Sequence, residues 1–134
     1  MEDRKGNIWI CTEYHGMIRI DKNKKIHHYT LGKLYGNQFI NCCTEDSNGN
    51  IYAGTSGRGV FIYNQADNTF HQIFHSNFPI KVLKQNDNLM LIGIDGEGIV
   101  AYDISKIHSQ HGFLHRQHKH QEKQSTFFAD RQQQ

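Results

Sequence analysis

Three kinds of side chain here could do chemistry: carboxylates at Asp95, Glu97 and Asp103, thiols at Cys11, Cys42 and Cys43, and imidazoles at His108, His111, His115, His118 and His120. Neighbouring carboxylates can divide acid and base roles. Asp95 and Glu97, however, stand in Asp95-Gly96-Glu97-Gly98, which aligns with Ser56-Gly57-Arg58-Gly59. A position filled by Glu97 in one copy and Arg58 in the other varies as a solvated turn does, so no catalytic residue is expected. The odd count of cysteines and their lack of ligand-like spacing argue against a disulfide framework or a zinc site. They read as small strand hydrophobes. Cys42 and Cys43 are adjacent, so on a strand they point to opposite faces and cannot both face the core. His111, His115 and His118 would share one face if helical and could gather a divalent ion adventitiously. Their polar surroundings read instead as a poorly folded tail. No metal site and no cofactor are expected.

The elements that would position these groups are organised around residues 46–63. Asp46-Ser47-Asn48-Gly49 has turn chemistry. Asn50-Ile51-Tyr52-Ala53-Gly54-Thr55 is short and mostly apolar, as a buried strand is. Ser56 to Gly59 turns the chain with two glycines, and Val60 to Tyr63 suits a pleated surface. This β-hairpin recurs. Gly6, Thr12 and Gly16 precede Gly49, Thr55 and Gly59 by 43 residues, and Gly93 and Gly98 follow Gly54 and Gly59 by 39. The third copy is expected to have gained or lost a turn residue. Strand repeats of about 40–45 residues indicate propeller blades.

Between the hairpins lie a return strand, Ile26 to Thr30 and again Phe70 to Phe74, and a lead-in strand, Phe39 to Glu45 and again Ile80 to Lys84. Leu31 to Gln38 is a loop. Glu2-Asp3 matches Glu45-Asp46 and reads as the end of another lead-in strand. Each period thus holds four short antiparallel strands, the make-up of a blade. The expected fold is all-β, with about ten strands over residues 7–103. It amounts to about two and a half blades of an incomplete ring on residues 1–104, followed by a polar His- and Gln-rich tail on 105–134. The tail lacks the next blade's opening phrase and reads as disordered, or as a truncated or frame-shifted reading of the gene.

Composition excludes several function classes. In 134 residues, 15 Lys and Arg face 13 Asp and Glu, which leaves no basic footprint for nucleic acid. No apolar run approaches the roughly 18 residues of a membrane span. The charged opening Met1-Glu2-Asp3-Arg4 is not a secretory signal.

The recurring phrase resembles the two-component regulator propeller repeat. It stands as Glu2-Asp3, Gly6-Asn7-Ile8-Trp9-Ile10-Cys11-Thr12, Gly16 and Asp21, and again as Glu45-Asp46, Gly49-Asn50-Ile51-Tyr52-Ala53-Gly54-Thr55, Gly59 and Tyr63-Asn64. The third copy, Asn88 to Asp103, keeps Gly93, Gly98 and Tyr102. Cys11 departs from the family's usual Gly, Tyr52 from its Trp, and Ile94 from its Thr. The resemblance implies the extracytoplasmic, ligand-sensing propeller of a hybrid sensor histidine kinase of Bacteroides-type bacteria. With it come a periplasmic location in the parent protein, glycan-derived oligosaccharides as ligand, and the parent's remaining blades as partners. No kinase module stands in this chain. The alternative is a propeller that binds a protein partner without kinase linkage.

The motif residues are expected to act structurally. Asp3, Asn7, Asp46 and Asn50, with Gly6 and Gly49, build turns, and Thr12 and Thr55 bond turn backbone at strand ends. Gly16, Gly59 and Gly98 supply φ > 0 before the second strand of each hairpin. Trp9, Tyr52 and Leu91 align, and are expected to fill the wedge between successive sheets.

Overall fold

The computed structural model describes residues 1–31 and 39–107. The tail histidines from His108 onward and the loop at 32–38 lie outside these residues. Among them are ten β-strands and no helix: β1 (Ile8–Cys11), β2 (Met17–Ile20), β3 (Ile26–Tyr29), β4 (Ile40–Glu45), β5 (Ile51–Thr55), β6 (Val60–Asn64), β7 (Thr69–Phe74), β8 (Ile80–Asn86), β9 (Leu89–Ile94) and β10 (Gly98–Asp103). They form three antiparallel sheets, β1-β2-β3, β4-β5-β6-β7 and β8-β9-β10. The fold is that of an open array of propeller blades. The middle sheet is a complete four-stranded blade, and each neighbour shows three strands.

Register explains the repeat. Glu45 pairs with Ile51 across the turn at the head of β5, and the isolated bridge Glu2–Ile8 reproduces that pairing at β1. Glu2 therefore holds the position that Glu45 holds at the end of the middle sheet's lead-in strand. In the third sheet Gln85 pairs with Met90. Four residues lie between these partners, against five in the middle blade, so this is where the third copy has lost a residue. The shortened turn places Asp87 at φ 53°.

Two cores hold the array together, each shared by successive sheets. Trp9, Met17 and Tyr29 of the first sheet pack with Ile40, Ile51, Ala53, Phe61 and Phe70 of the second. Tyr52, Val60, Ile62 and Ile73 of the second pack with Ile80, Leu83, Met90, Ile92 and Tyr102 of the third. Every residue of β5 is buried because its two faces feed different cores. Tyr52 faces forward while Ile51 and Ala53 face back. This is why its sequence is a continuous apolar run rather than an alternation.

The same geometry corrects two expectations. Cys42 and Cys43 do point to opposite faces, but both pack on a core: Cys42 on the second, Cys43 on the first. A sheet sandwiched between neighbours has no solvent face to which one of them could be consigned. Leu91 aligns with Trp9 and Tyr52, yet it is only half-buried, while its neighbours Met90 and Ile92 fill the second core. Its forward face meets no further sheet among the described residues.

Candidate functional site

The motif residues converge on two repeated constellations. In the first, the Asp3 carboxylate organises its own turn. Asp3 Oδ1 accepts the backbone N–H groups of Lys5 and Asn7, each at 2.9 Å. Asp3 Oδ2 accepts the Asn7 amide at 3.0 Å and the Trp9 indole N–H at 2.7 Å. Asp46 does the same one blade later, accepting the N–H groups of Asn48 and Asn50 at 2.9 Å, the Asn50 amide at 3.0 Å and the Tyr52 hydroxyl at 2.7 Å. Both aspartates are buried, and a buried carboxylate needs such a set of donors. Gly6 and Gly49 complete the turns at φ 85° and 87°.

Burial pushes the Asp3 carboxyl up, but the hydrogen bonds from Trp9, Asn7 and the turn backbone outweigh it and hold the group below its ordinary value. Tyr52 goes the other way. Burial, and then the Asp46 charge beside it, raise its hydroxyl well above the usual range. The phenol therefore stays a neutral donor. Trp9 and Tyr52 are interchangeable here because each brings a large apolar body with one donor at its tip.

The second constellation closes the opposite end of each hairpin. Thr12 Oγ1 donates to Gly16 O at 2.8 Å and accepts the His15 N–H at 2.9 Å. Thr55 Oγ1 donates to Gly59 O at 2.8 Å and accepts the Arg58 N–H at 3.0 Å. Gly59 has φ 83°, and a Cβ there would run into the Phe74 carbonyl oxygen. Gly16 stands likewise against the Tyr29 carbonyl. Gly54 lies flat against Ile80 and Cys42, Gly93 against Val82, and Gly98 opens β10 at φ 97°. Tyr102 is buried in the second core. Tyr63 packs edge-on to Trp9 at 5.2 Å between ring centroids.

Two features were not anticipated from the sequence. The first is an aromatic cage at the first interface, where Tyr29, Tyr63 and Phe70 surround Trp9. The Arg19 guanidinium lies over the Trp9 and Tyr29 rings, and Asn68 Oδ1 accepts both tyrosine hydroxyls, at 2.9 Å and 2.7 Å. The second is a clasp from each turn to the next sheet. The Arg4 N–H donates to Glu45 Oε1 at 3.2 Å, and the Ser47 N–H donates to Gln85 Oε1 at 2.8 Å. Glu45 ends β4 and Gln85 is the penultimate residue of β8, so a Glu or Gln recurring at that repeat position was the readable signal.

As chemistry, these two constellations hold hairpins closed and tie one sheet to the next. Asp95, Glu97 and Asp103 are exposed and do not converge. Asp103 is occupied by Ser105, whose N–H and hydroxyl hold its carboxyl below the ordinary value. Among the described residues no group of three or more His, Cys, Asp or Glu could hold a metal ion. A cavity of about 50 Å³ lies between the first two sheets, lined by Asp3, Lys5, Asn7, Trp9, Arg19 and Tyr63 among others. Ligand pockets run to several hundred Å³, so this one admits water, not a sugar ring. Among the described residues no helix is long and apolar enough to cross a membrane.

Comparison with known proteins agrees with this geometry. Residues 35–57 match the family described as Two component regulator propeller. Among solved structures, the chain is similar to the extracellular domain of a protein described as a hybrid two component system from B. thetaiotaomicron. The TM-score is 0.65 at 24% identity, over 78% of this chain. The chain spans 14% of the length of that solved extracellular domain. No curated protein matches. The chain carries a two component regulator propeller repeat, set in an array of β-propeller blades.

Proposed function

We propose that this chain is a stretch of the extracytoplasmic, ligand-sensing propeller of a hybrid two-component sensor histidine kinase. The observation that carries the reading is the back face of the first sheet. Ile8 and Ile10 are 38% and 39% exposed, whereas Ile51 and Ala53, at the same register one blade on, are 3% and 0% exposed. The first sheet thus presents to solvent the surface that the second buries against a neighbour. Glu2 stands where Glu45 and Gln85 each accept the preceding turn's N–H. Both features fit a further blade docked against β1. A closed ring takes about four to eight blades.

The match at residues 35–57 and the likeness to a two-component ectodomain support the sensor role and a periplasmic setting in the parent protein. Glycan-derived oligosaccharides are the proposed ligand class, bound by the completed ring. No cofactor, nucleic acid or catalytic step enters this reading. A propeller transmits a signal when ligand favours one of two states of the whole ectodomain. Three sheets alone are therefore expected neither to signal nor to bind tightly.

The test is to sequence the DNA flanking the coding region and express the complete reading frame. Further repeats, a membrane helix and kinase modules in frame are expected. Calorimetry with oligosaccharides should show binding to the complete ectodomain and none to residues 1–104. A frame without kinase modules favours the protein-interaction propeller. Micromolar sugar binding by a monomeric 1–104 overturns the proposal.

A further inference from the structure

The first interface differs from the second at one pair of positions. Cys11, opposite Met17, holds the place that Gly54, opposite Val60, holds one blade later. Cys43, opposite Ala53, holds the place of Leu83, opposite Ile92. The second interface therefore has a glycine and a leucine at these two repeat positions, the glycine packed on Ile80 and Cys42, and the first has two cysteines. Both thiols pack on the same aromatic core. Their strands are tied where they meet, the Ile40 N–H donating to Thr12 O at 2.9 Å. The two thiols lie close enough across the interface to interact. Cys42 faces the second core instead, its thiol 3.8 Å from Ile80 O.

We propose that Cys11 and Cys43 are a redox-active pair that closes into a disulfide joining the first two blades, with Cys42 left as a free thiol. The oxidant is a small-molecule or protein disulfide. The Cys43 thiolate attacks one sulfur of that disulfide, forming a mixed disulfide and expelling a thiolate. Cys11 then gives up its proton and attacks Cys43 Sγ, expelling the second thiolate. Two protein thiols are oxidised, one external disulfide is reduced to two thiols, and the two protons pass to the leaving thiolates. Cys43 is the better first nucleophile. The Cys11 S–H bond to its sulfur brings its pKa down to about 7, while burial pushes Cys42 up to about 11. Cys11 is itself raised, first by its hydrogen bond to Cys43 and then by burial, and acts second. The bond would clamp residues that lie on separate sheets, so its effect is on the blade interface.

The experiment uses the full chain and its Cys42→Ser and Cys43→Ser variants, equilibrated with glutathione and its disulfide, alkylated, and weighed intact and after digestion. Wild type and Cys42→Ser should each lose about 2 Da as monomers through a Cys11–Cys43 linked peptide. The melting temperature of the oxidised form should rise by about 5 °C or more. Cys43→Ser, which retains Cys11 and Cys42, should form no internal bond. Persistence of both thiols in Cys42→Ser, glutathione adducts alone, or equally ready Cys11–Cys42 closure in Cys43→Ser would each overturn the proposal. The last outcome would mean that pairing occurs in the unfolded chain.

Discussion

The Trp9 indole N–H donates to Asp3 Oδ2 at 2.7 Å, and the chain reuses this bond one blade later with a phenol, Tyr52 to Asp46, at the same distance. A turn carboxylate that caps its own backbone also pins the aromatic plug of the next interface. Local turn formation and inter-blade packing therefore share one residue.

This sharing sets an order of severity at the middle turn. Tyr52→Phe removes one donor and leaves the cavity filled, so it should cost about 1 kcal/mol. Asp46→Ala strips the acceptor from two backbone N–H groups, the Asn50 amide and the Tyr52 hydroxyl. It should cost about 2–4 kcal/mol. Urea unfolding of the two variants measures the difference, and equal costs would separate the turn from the plug.

Acid should act through Asp3. Its folded pKa lies below the unfolded value of about 3.9. Its contribution is thus fully present above that value and is lost as pH falls through the folded pKa. Between pH 5 and pH 2.5, wild type should lose more stability than Asp3→Asn. Trp9 fluorescence during acid titration reads this directly.

Gly59 and Gly96 both have positive φ, at 83° and 78°, but only Gly59 is hemmed in. Gly96→Ala meets nothing within 4 Å and should cost about 1 kcal/mol of backbone strain. Gly59→Val must also displace the Phe74 carbonyl, and should lose considerably more than that. Melting curves by circular dichroism compare the two.

The cysteine pair makes a volume prediction distinct from its redox chemistry. Cys43→Leu alone should overpack the first interface, at about 1–3 kcal/mol. Adding Cys11→Gly puts at both positions the residue types of the second interface, frees volume on the strand facing the new leucine's core, and should recover part of that loss. Denaturant unfolding under reducing conditions tests the non-additivity.

The back face of the first sheet should govern association. Ile10→Glu places a charge on a surface that is already part-exposed, so folding should persist while self-association falls. Light scattering of wild type and variant at matched concentrations gives the result.

How much of this was legible depends on distance along the chain. Each hairpin is set by residues within about ten positions of one another: a capping carboxylate, a glycine that must take φ > 0, and apolar strands between. Asp46 to Gly59 could therefore be read as turn, strand, turn without reference to anything else, and its recurrence at blade spacing marked the architecture. Even the bridge from Glu2 to Ile8 was readable, because Glu2-Asp3 repeats Glu45-Asp46. What the sequence could not decide was the use of each face, since that depends on a neighbour about 40 residues away. Cys42 and Cys43 alternate as any strand residues do, yet both are packed because the middle sheet has a core on either side. Leu91 aligns with Trp9 and Tyr52 yet stays half-buried, because the described residues bring no sheet against it. The clasps from Arg4 to Glu45 and from Ser47 to Gln85, and the meeting of Cys11 with Cys43, likewise exist only once blades are stacked. Alternation along a strand says that two faces exist, and only the stacking of sheets says what each face meets.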